Sequence, residues 1–154
     1  MARKIKNIAK SSTLMDIEIL YNNDKIKFNL AEELNISVSR INTEITEQPT
    51  HQGFLNVLVA KLKGTLEEAI RKEEKKKASI FLSWKEERDS NTGRPYSNDI
   101  AEAHTLSDSE YQIVLKKRIK AEEDYLTIKA CVDAFNQRSS LIQTIAANKR
   151  KEII

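Results

Sequence analysis

Apolar residues recur at steps of three and four along two long stretches of this 154-residue chain. The first stretch predicts a helix from Gly53 to about Glu87, and the second predicts a closing helix of about 40 residues. The second stretch has a heptad-like seam, interrupted only where Arg118 and Ser139 occupy seam positions. Folding the closing helix back on the first helix predicts a long antiparallel helical hairpin. The seam consists of Tyr111, Val114, Ala121, Tyr125, Ile128, Val132, Phe135, Ile142 and Ala146.

The sequence before Pro49 predicts only short elements. Residues 14–23 ("LMDIEILYNN") predict a helix capped by one of the hydroxyl residues at 11–13, "NNDK" predicts a turn, and residues 28–35 predict a second short helix. We therefore expect an all-α fold in a single domain. Residues 1–48 would form a short N-terminal helical segment and residues 49–154 the long hairpin.

Turn and cap residues punctuate the hairpin. "RDSNTGRP", residues 88–95, is the clearest loop in the chain. Ser97 is placed to cap a short helix over "NDIAEAHT". Ser107 and Glu110 form an S-x-x-E capping box that predicts the start of the closing helix.

Composition supports this helical prediction. The chain has 3 Gly, 2 Pro, 32% charged and 6% aromatic residues, which is typical of long helices with few loops. No apolar run approaches the roughly 18 residues of a membrane span, and the basic N-terminus lacks the apolar stretch of a signal peptide. The single cysteine cannot form an internal disulfide. We expect no membrane association and a reducing, cytoplasmic location.

The sequence contains no constellation typical of catalysis. His51 and His104 have no Cys or His neighbour at metal-ligand spacing, and no glycine-rich phosphate loop is present. Cys131 lies beside the seam, as a small core residue would. The sequence favours a binding protein with no cofactor over an enzyme.

Charge is distributed unevenly, although the net charge is only +3. Residues 16–47 are net acidic, whereas basic clusters occupy Arg71–Lys77, Lys116–Lys120 and Lys149–Lys151. Such clusters form either solvated helix faces or a surface for nucleic acid.

Two segments are candidates for binding nucleic acid. In the first, residues 30–45 ("LAEELNISVSRINTEI") resemble a helix-turn-helix. The predicted core positions are Ala31, Leu34, Ile36, Val38 and Ile41, and the predicted groove-facing positions are Ser37, Ser39, Arg40 and Asn42.

The second segment is the basic stretch and the loop that follows it. Lysine and arginine side chains bind phosphates, and aromatic rings stack on bases, which suits single-stranded nucleic acid. The sequence leaves open whether Trp84 stacks on bases or packs inside, and it favours a core position for Phe81. The predicted contact residues are Arg71, Lys72, Lys75, Lys76, Lys77, Trp84, Lys85 and Arg94.

The layout of residues 36–149 resembles that of the UvsY-type recombination mediators of tailed phages. Residues 36–62 match the family's N-terminal segment at Ile36, Pro49, His51 and Phe54. A basic helix, an aromatic residue and a glycine loop follow, here Lys75–Lys77, Trp84 and Thr92–Arg94. The closing helix matches the family's pattern at Tyr125, Arg138, Leu141 and Ile142.

The resemblance implies a ring-like homo-oligomer of helical hairpins that binds single-stranded DNA. Proteins of this family load a RecA-like recombinase onto DNA that is occupied by a single-strand-binding protein. The seam would then supply contact area between chains at Tyr125, Ile128, Val132, Phe135 and Ile142. Two alternatives stay open: a helix-turn-helix DNA-binding regulator, and a coiled-coil scaffold that binds no nucleic acid.

Overall fold

The computed structural model describes residues 16–21 and 24–151 of the chain. The caps predicted at residues 11–13 lie outside the described residues. A mostly helical chain with two long helices is confirmed. The elements in chain order are strands β1 (Asp16–Tyr21) and β2 (Asp24–Asn29), helix α1 (Leu30–Leu34), a 3₁₀ turn (Val38–Arg40), and helices α2 (Ile41–Glu86), α3 (Asn98–Ser107) and α4 (Ser109–Lys151).

The helix predicted over residues 14–23 is wrong, because residues 16–21 form a strand. β1 pairs antiparallel with β2, and Ile17 lies opposite Phe28 while Ile19 lies opposite Ile26. Side chains alternate along β1, so Ile19 is 2% exposed whereas its neighbour Leu20 is 65% exposed. An alternation of period two is the strand pattern. The fold is therefore not all-α, since a small two-stranded sheet precedes the helices.

Helix α2 begins at Ile41, twelve positions before the predicted start at Gly53, and includes Pro49. Proline inside a helix normally breaks it, because the ring removes a hydrogen bond and crowds the preceding turn. Here Glu44 and Gln48 are buried on the turn before the proline, at 8% and 4% exposure. Their contacts with α4 hold this turn in helical form. The helix ends at Glu86, within one residue of the prediction.

The chain divides into two compact units. We call the described residues up to Ala60 together with those from Leu126 onward the split unit, and Lys61–Tyr125 the central unit. Both α2 and α4 contribute to each unit. The boundary predicted after residue 48 falls within α2.

In the split unit, α2 and α4 pack antiparallel. Ile41 contacts the end of α4 at Ile142 and Ala146, whereas the later residue Gln48 donates to the carbonyl oxygen of Phe135. The sheet and α1 belong to the same unit. Its buried apolar side chains are Ile19, Ile41, Leu55, Leu58, Ile128, Cys131, Phe135, Ile142 and Ala146.

The central unit contains the rest of α2, the loop over residues 87–97, helix α3 and the start of α4. The predicted loop is confirmed, and it turns at Gly93, whose φ is 64°. The predicted cap at Ser97 is also confirmed, since its hydroxyl accepts from the Ile100 amide at 3.4 Å.

The capping box predicted for α4 is wrong. Ser107 is the last residue of α3, and its hydroxyl donates to carbonyl oxygens of that helix. Asp108 caps α4 instead. Its Oδ1 accepts from the amides of Glu110 at 2.8 Å and Tyr111 at 3.1 Å. A carboxylate at this position also interacts favourably with the helix dipole.

No helix among the described residues is long and apolar enough to cross a membrane.

Candidate nucleic-acid interface

The basic stretch Arg71–Lys77 lies on α2 within the central unit. Three of its lysines are paired with carboxylates from α2, α3 and α4. The side chains of these pairs are 35–67% exposed, and pairs so exposed contribute at most about 1 kcal/mol each. The pairs are Lys72–Glu68 at 2.5 Å, Lys76–Glu110, and Lys77–Glu102 at 3.2 Å.

Arg71 and Lys75 have no ion-pair partner within hydrogen-bonding reach among the described residues. Both are exposed, and their spacing of four residues puts them on one side of the helix. Arg71 interacts only at longer range with Glu68, whose pKa is lowered mainly by its hydrogen bond with Lys72. These two cations are the members of the basic stretch most available to an external anion.

Trp84 belongs to an aromatic cluster at the end of the central unit. Its ring stacks on His104 with centroids 4.1 Å apart, and Tyr96 meets it edge-on at 5.9 Å. Lys85 donates to the Tyr96 carbonyl oxygen at 2.7 Å. One face of the indole is therefore occupied by His104. Trp84 thus connects both the loop and α3 to α2, and Lys85 connects the loop to α2.

Arg94 follows Gly93 in the loop, and its side chain is exposed. The loop is held from within: the Arg94 carbonyl oxygen accepts from the Asp89 amide at 2.9 Å, and Arg88 donates to the Gly93 carbonyl oxygen at 3.0 Å. The Arg94 guanidinium has no partner in the described parts of the chain. It is presented to solvent by a loop whose backbone is fixed.

Glu73, one of the two acids within the basic stretch, makes structural contacts with α4. Glu73 accepts from the Tyr111 hydroxyl at 3.0 Å and pairs with Arg118 at 3.7 Å. Burial and this carboxylate both raise the pKa of Tyr111. Arg118 interrupts the apolar seam because it reaches Glu73 across the helix pair. The sequence showed the interruption but did not identify the partner.

Three of the residues predicted to contact other subunits are buried within their own chain. Ile128, Phe135 and Ile142 are at most 2% exposed, and Tyr125 and Val132 are half-buried. In this fold the seam serves the intrachain packing of α4. The large apolar side chains that α4 exposes in the described part of the split unit are Leu126 and Leu141, at 53% and 56% exposure.

Sequence reasoning did not find the buried polar cluster of the split unit. Arg138 is 8% exposed, and it pairs with Glu44, donates to Gln48, and donates to the Asn35 carbonyl oxygen at 3.1 Å. The amide of Ser37 donates to Glu44 at 3.1 Å. This backbone hydrogen bond, followed by the contact with Arg138, lowers the pKa of Glu44 despite its burial. The cluster joins α4 to α2 and to the segment before it.

Of the five core positions that the helix-turn-helix alternative predicted, the structure contradicts two. Ala31 and Val38 are exposed, although Ile41 is buried as predicted. Helix α1 has only 5 residues, and a single helix of 46 residues follows the 3₁₀ turn. Residues 30–45 thus comprise the short helix α1, the 3₁₀ turn and the start of α2, not a pair of comparable helices.

Across residues 16–21 and 24–151, no group of three or more His, Cys, Asp or Glu side chains is arranged to hold a metal ion. A scan against protein-family models finds no match, and searches of curated proteins and of solved structures return no relative.

Proposed function

We propose that this protein is a recombination mediator that binds single-stranded DNA and promotes loading of a RecA-like recombinase. The observation that carries the DNA-binding part is the exposed, unpaired state of Arg71 and Lys75 on α2. The mediator part rests on the pattern that residues 36–149 share with UvsY-type proteins.

Local placement of charge, not net charge, would drive binding. Between positions 61 and 125 the chain has as many acidic as basic residues. The paired lysines of the stretch are held by exposed carboxylates, so a phosphate can replace the carboxylate at little cost. Arg71 and Lys75 would make the first contacts with the phosphates, and Lys72, Lys76 and Lys77 would exchange partners as the strand settles.

A single strand suits this surface better than a duplex. The central unit offers a helix with exposed cations and a neighbouring loop that carries Arg94, and its aromatic cluster includes Tyr96 of that loop. Such a surface follows a flexible phosphate backbone without reading base edges in a groove. Affinity would be modest for one chain and would rise by effective concentration in the homo-oligomer that the resemblance implies.

The test is fluorescence anisotropy with labelled oligo-dT and a matched duplex at several salt concentrations. The decisive variant is Arg71→Ala/Lys75→Ala. The matched control is Lys25→Ala/Lys27→Ala, which removes the same charge from two exposed lysines in the sheet. Two lost phosphate contacts reduce the slope of log affinity against log salt by about 1.4 for single strands. We expect this reduction in the first variant and little change in the control.

Other outcomes would overturn the proposal in different ways. Tighter binding to duplex would favour a helix-turn-helix regulator that uses residues 30–45. No binding to either DNA would make the basic stretch a solvated helix face and the protein a helical scaffold. If oligo-dT binds as expected, recombinase loading on DNA covered by a single-strand-binding protein tests the mediator role directly. Native mass spectrometry of the same sample tests ring assembly.

A further inference from the structure

A groove runs between α2 and α4 on one side of the central unit. Its cavity volume is about 240 Å³, and three of its lining residues, Ala69, Val114 and Ala121, are apolar and half-buried, so we call them its floor. Thr65 and Glu68 on α2 and the two lysines Lys72 and Lys117 complete the lining. These small side chains leave room for a bound strand to approach the backbones of both helices. Lys72 and Lys117 lie on opposite walls of the groove.

The charges in the groove are not balanced. Glu68 and Lys72 form a pair at 2.5 Å, and this contact is the main reason that the pKa of Glu68 is lowered. The carboxylate therefore stays ionised, and the pair is neutral as a whole. Lys117, on the α4 wall, has no carboxylate partner in the described parts of the chain. The groove thus carries one uncompensated positive charge.

Nearby acids on the same side of α4 are already engaged. Asp124 pairs with Lys120 at 2.8 Å, and Glu110 pairs with Lys76. Lys75 lies three residues beyond Lys72 and so extends the positive side of α2 past the groove.

We infer that this groove is a phosphate-binding subsite for single-stranded DNA, in which a phosphate contacts Lys117 before Lys72, and Glu68 restrains Lys72 until a phosphodiester displaces the carboxylate. This inference rests on the proposed DNA binding. It adds a contact from α4 to a surface otherwise built on α2 and the loop that carries Arg94. It also assigns Glu68 a role as an internal competitor of the DNA.

The competitor role follows from the exposure of the pair. The side chains of Lys72 and Glu68 are 67% and 57% exposed, so water screens their attraction. A phosphate that already contacts Lys117 can take over the hydrogen bonds of Lys72. Removing the charge of Glu68 should then strengthen DNA binding, whereas removing Lys117 should weaken it.

The experiment compares two pairs of matched variants in the oligo-dT anisotropy assay across salt. Lys117→Ala is compared with Lys116→Ala, an exposed neighbour of the same charge outside the groove. Glu68→Gln is compared with Glu67→Gln, whose carboxylate pairs with Lys63 at 4.0 Å. Glutamine and alanine keep helix propensity, so the fold is retained.

One phosphate contact corresponds to a salt slope of about 0.7 for single strands. Between about 1 M and 0.1 M salt, this slope amounts to about a five-fold difference in affinity. We expect Lys117→Ala to lose about that factor and Glu68→Gln to gain up to that factor. Lys116→Ala and Glu67→Gln should change affinity much less.

Two negative results are distinguishable. If wild-type protein binds oligo-dT but Lys117→Ala equals Lys116→Ala, or Glu68→Gln equals Glu67→Gln, the groove inference is wrong and DNA binding stands. If wild-type protein does not bind oligo-dT, both the inference and the proposed function are overturned.

Discussion

Replacement of Arg138 by methionine should destabilise the protein strongly, because Arg138 is the donor on which the polar cluster of the split unit depends. The Arg138 and Glu44 side chains are 9% and 10% exposed, so the surviving carboxylate would stay buried with only the Ser37 amide as partner. Gln48 and the Asn35 carbonyl oxygen would lose donors as well. Removing one partner of a buried ion pair costs about 3–5 kcal/mol.

Further variants separate the contribution of charge to the stability of the cluster from the contribution of side-chain shape. Glu44→Gln leaves the Arg138 charge without its carboxylate but keeps a hydrogen-bonding side chain beside it, so it should cost less than Arg138→Met, about 1.5–3 kcal/mol. Arg138→Met/Glu44→Leu removes both charges and should cost less than Arg138→Met alone, since no buried charge is left unpaired. Glu47→Gln, an exposed position on the same helix, should change the free energy of unfolding by less than about 0.5 kcal/mol.

The pH dependence provides a second readout. The pKa of Glu44 is lowered in the folded protein, so Glu44 contributes stability above its unfolded pKa of about 4.3. This contribution disappears as the pH falls through the folded pKa. The difference in stability between wild type and Glu44→Gln should therefore shrink in acid.

Urea unfolding followed by far-ultraviolet circular dichroism measures all of these values. A cost below about 1 kcal/mol for Arg138→Met would refute the reasoning. So would a double variant that is less stable than Arg138→Met.

Three further predictions concern other parts of the chain. Burial raises the pKa of the Cys131 thiol, so a thiol reagent should label Cys131 only as fast as the protein opens, and rapid labelling of native protein would contradict its burial. His104→Ala should uncover one face of Trp84, shift tryptophan emission to the red and cost about 0.5–1.5 kcal/mol, whereas unchanged emission would mean that the stack does not form in solution. Asp108→Ala should cost about 1 kcal/mol and Ser107→Ala only a few tenths, as thermal or urea unfolding will measure, and the reverse order would restore the S-x-x-E box as the cap of α4.

Local sequence signals predicted much of the helical part. The apolar steps of α4, the turn residues around Gly93 and the cap at Ser97 each act within a few positions, and all three are found. The start of α2 is not local. The turn before Pro49 is held by Phe135 and Arg138, which lie 87 and 90 residues from Gln48. No pattern near Pro49 reveals these partners.

The sequence failed to predict the two-stranded sheet of β1 and β2 for a different reason. The strand β1 contains three inward-pointing positions, Ile17, Ile19 and Tyr21. So short an alternation competes poorly with a helical interpretation when the sequence between the two strands has no glycine. The partner strand, with Ile26 and Phe28 opposite, decides the outcome.

The positions of the candidate DNA contacts were predictable, but their state was not. The sequence places Lys76 and Lys77 beside Lys75 as equal cations. Only the fold brings Glu110 and Glu102 to the first two and leaves Lys75 without a partner among the described residues. Lys117 belongs to the basic cluster Lys116–Lys120, yet only the groove between α2 and α4 distinguishes it from Lys116.

The division of the chain into a central and a split unit sets an expected order of folding. Contacts in the central unit join residues such as Glu73 and Tyr111, 38 positions apart, whereas Glu44 and Arg138 are 94 apart. Closing the longer loop from an unfolded chain costs about 0.8 kcal/mol more. Once the central unit has folded, it tethers the two halves of the split unit, and most of that closure has already occurred. The central unit should therefore gain protection from hydrogen exchange first during refolding, and the split unit should follow it.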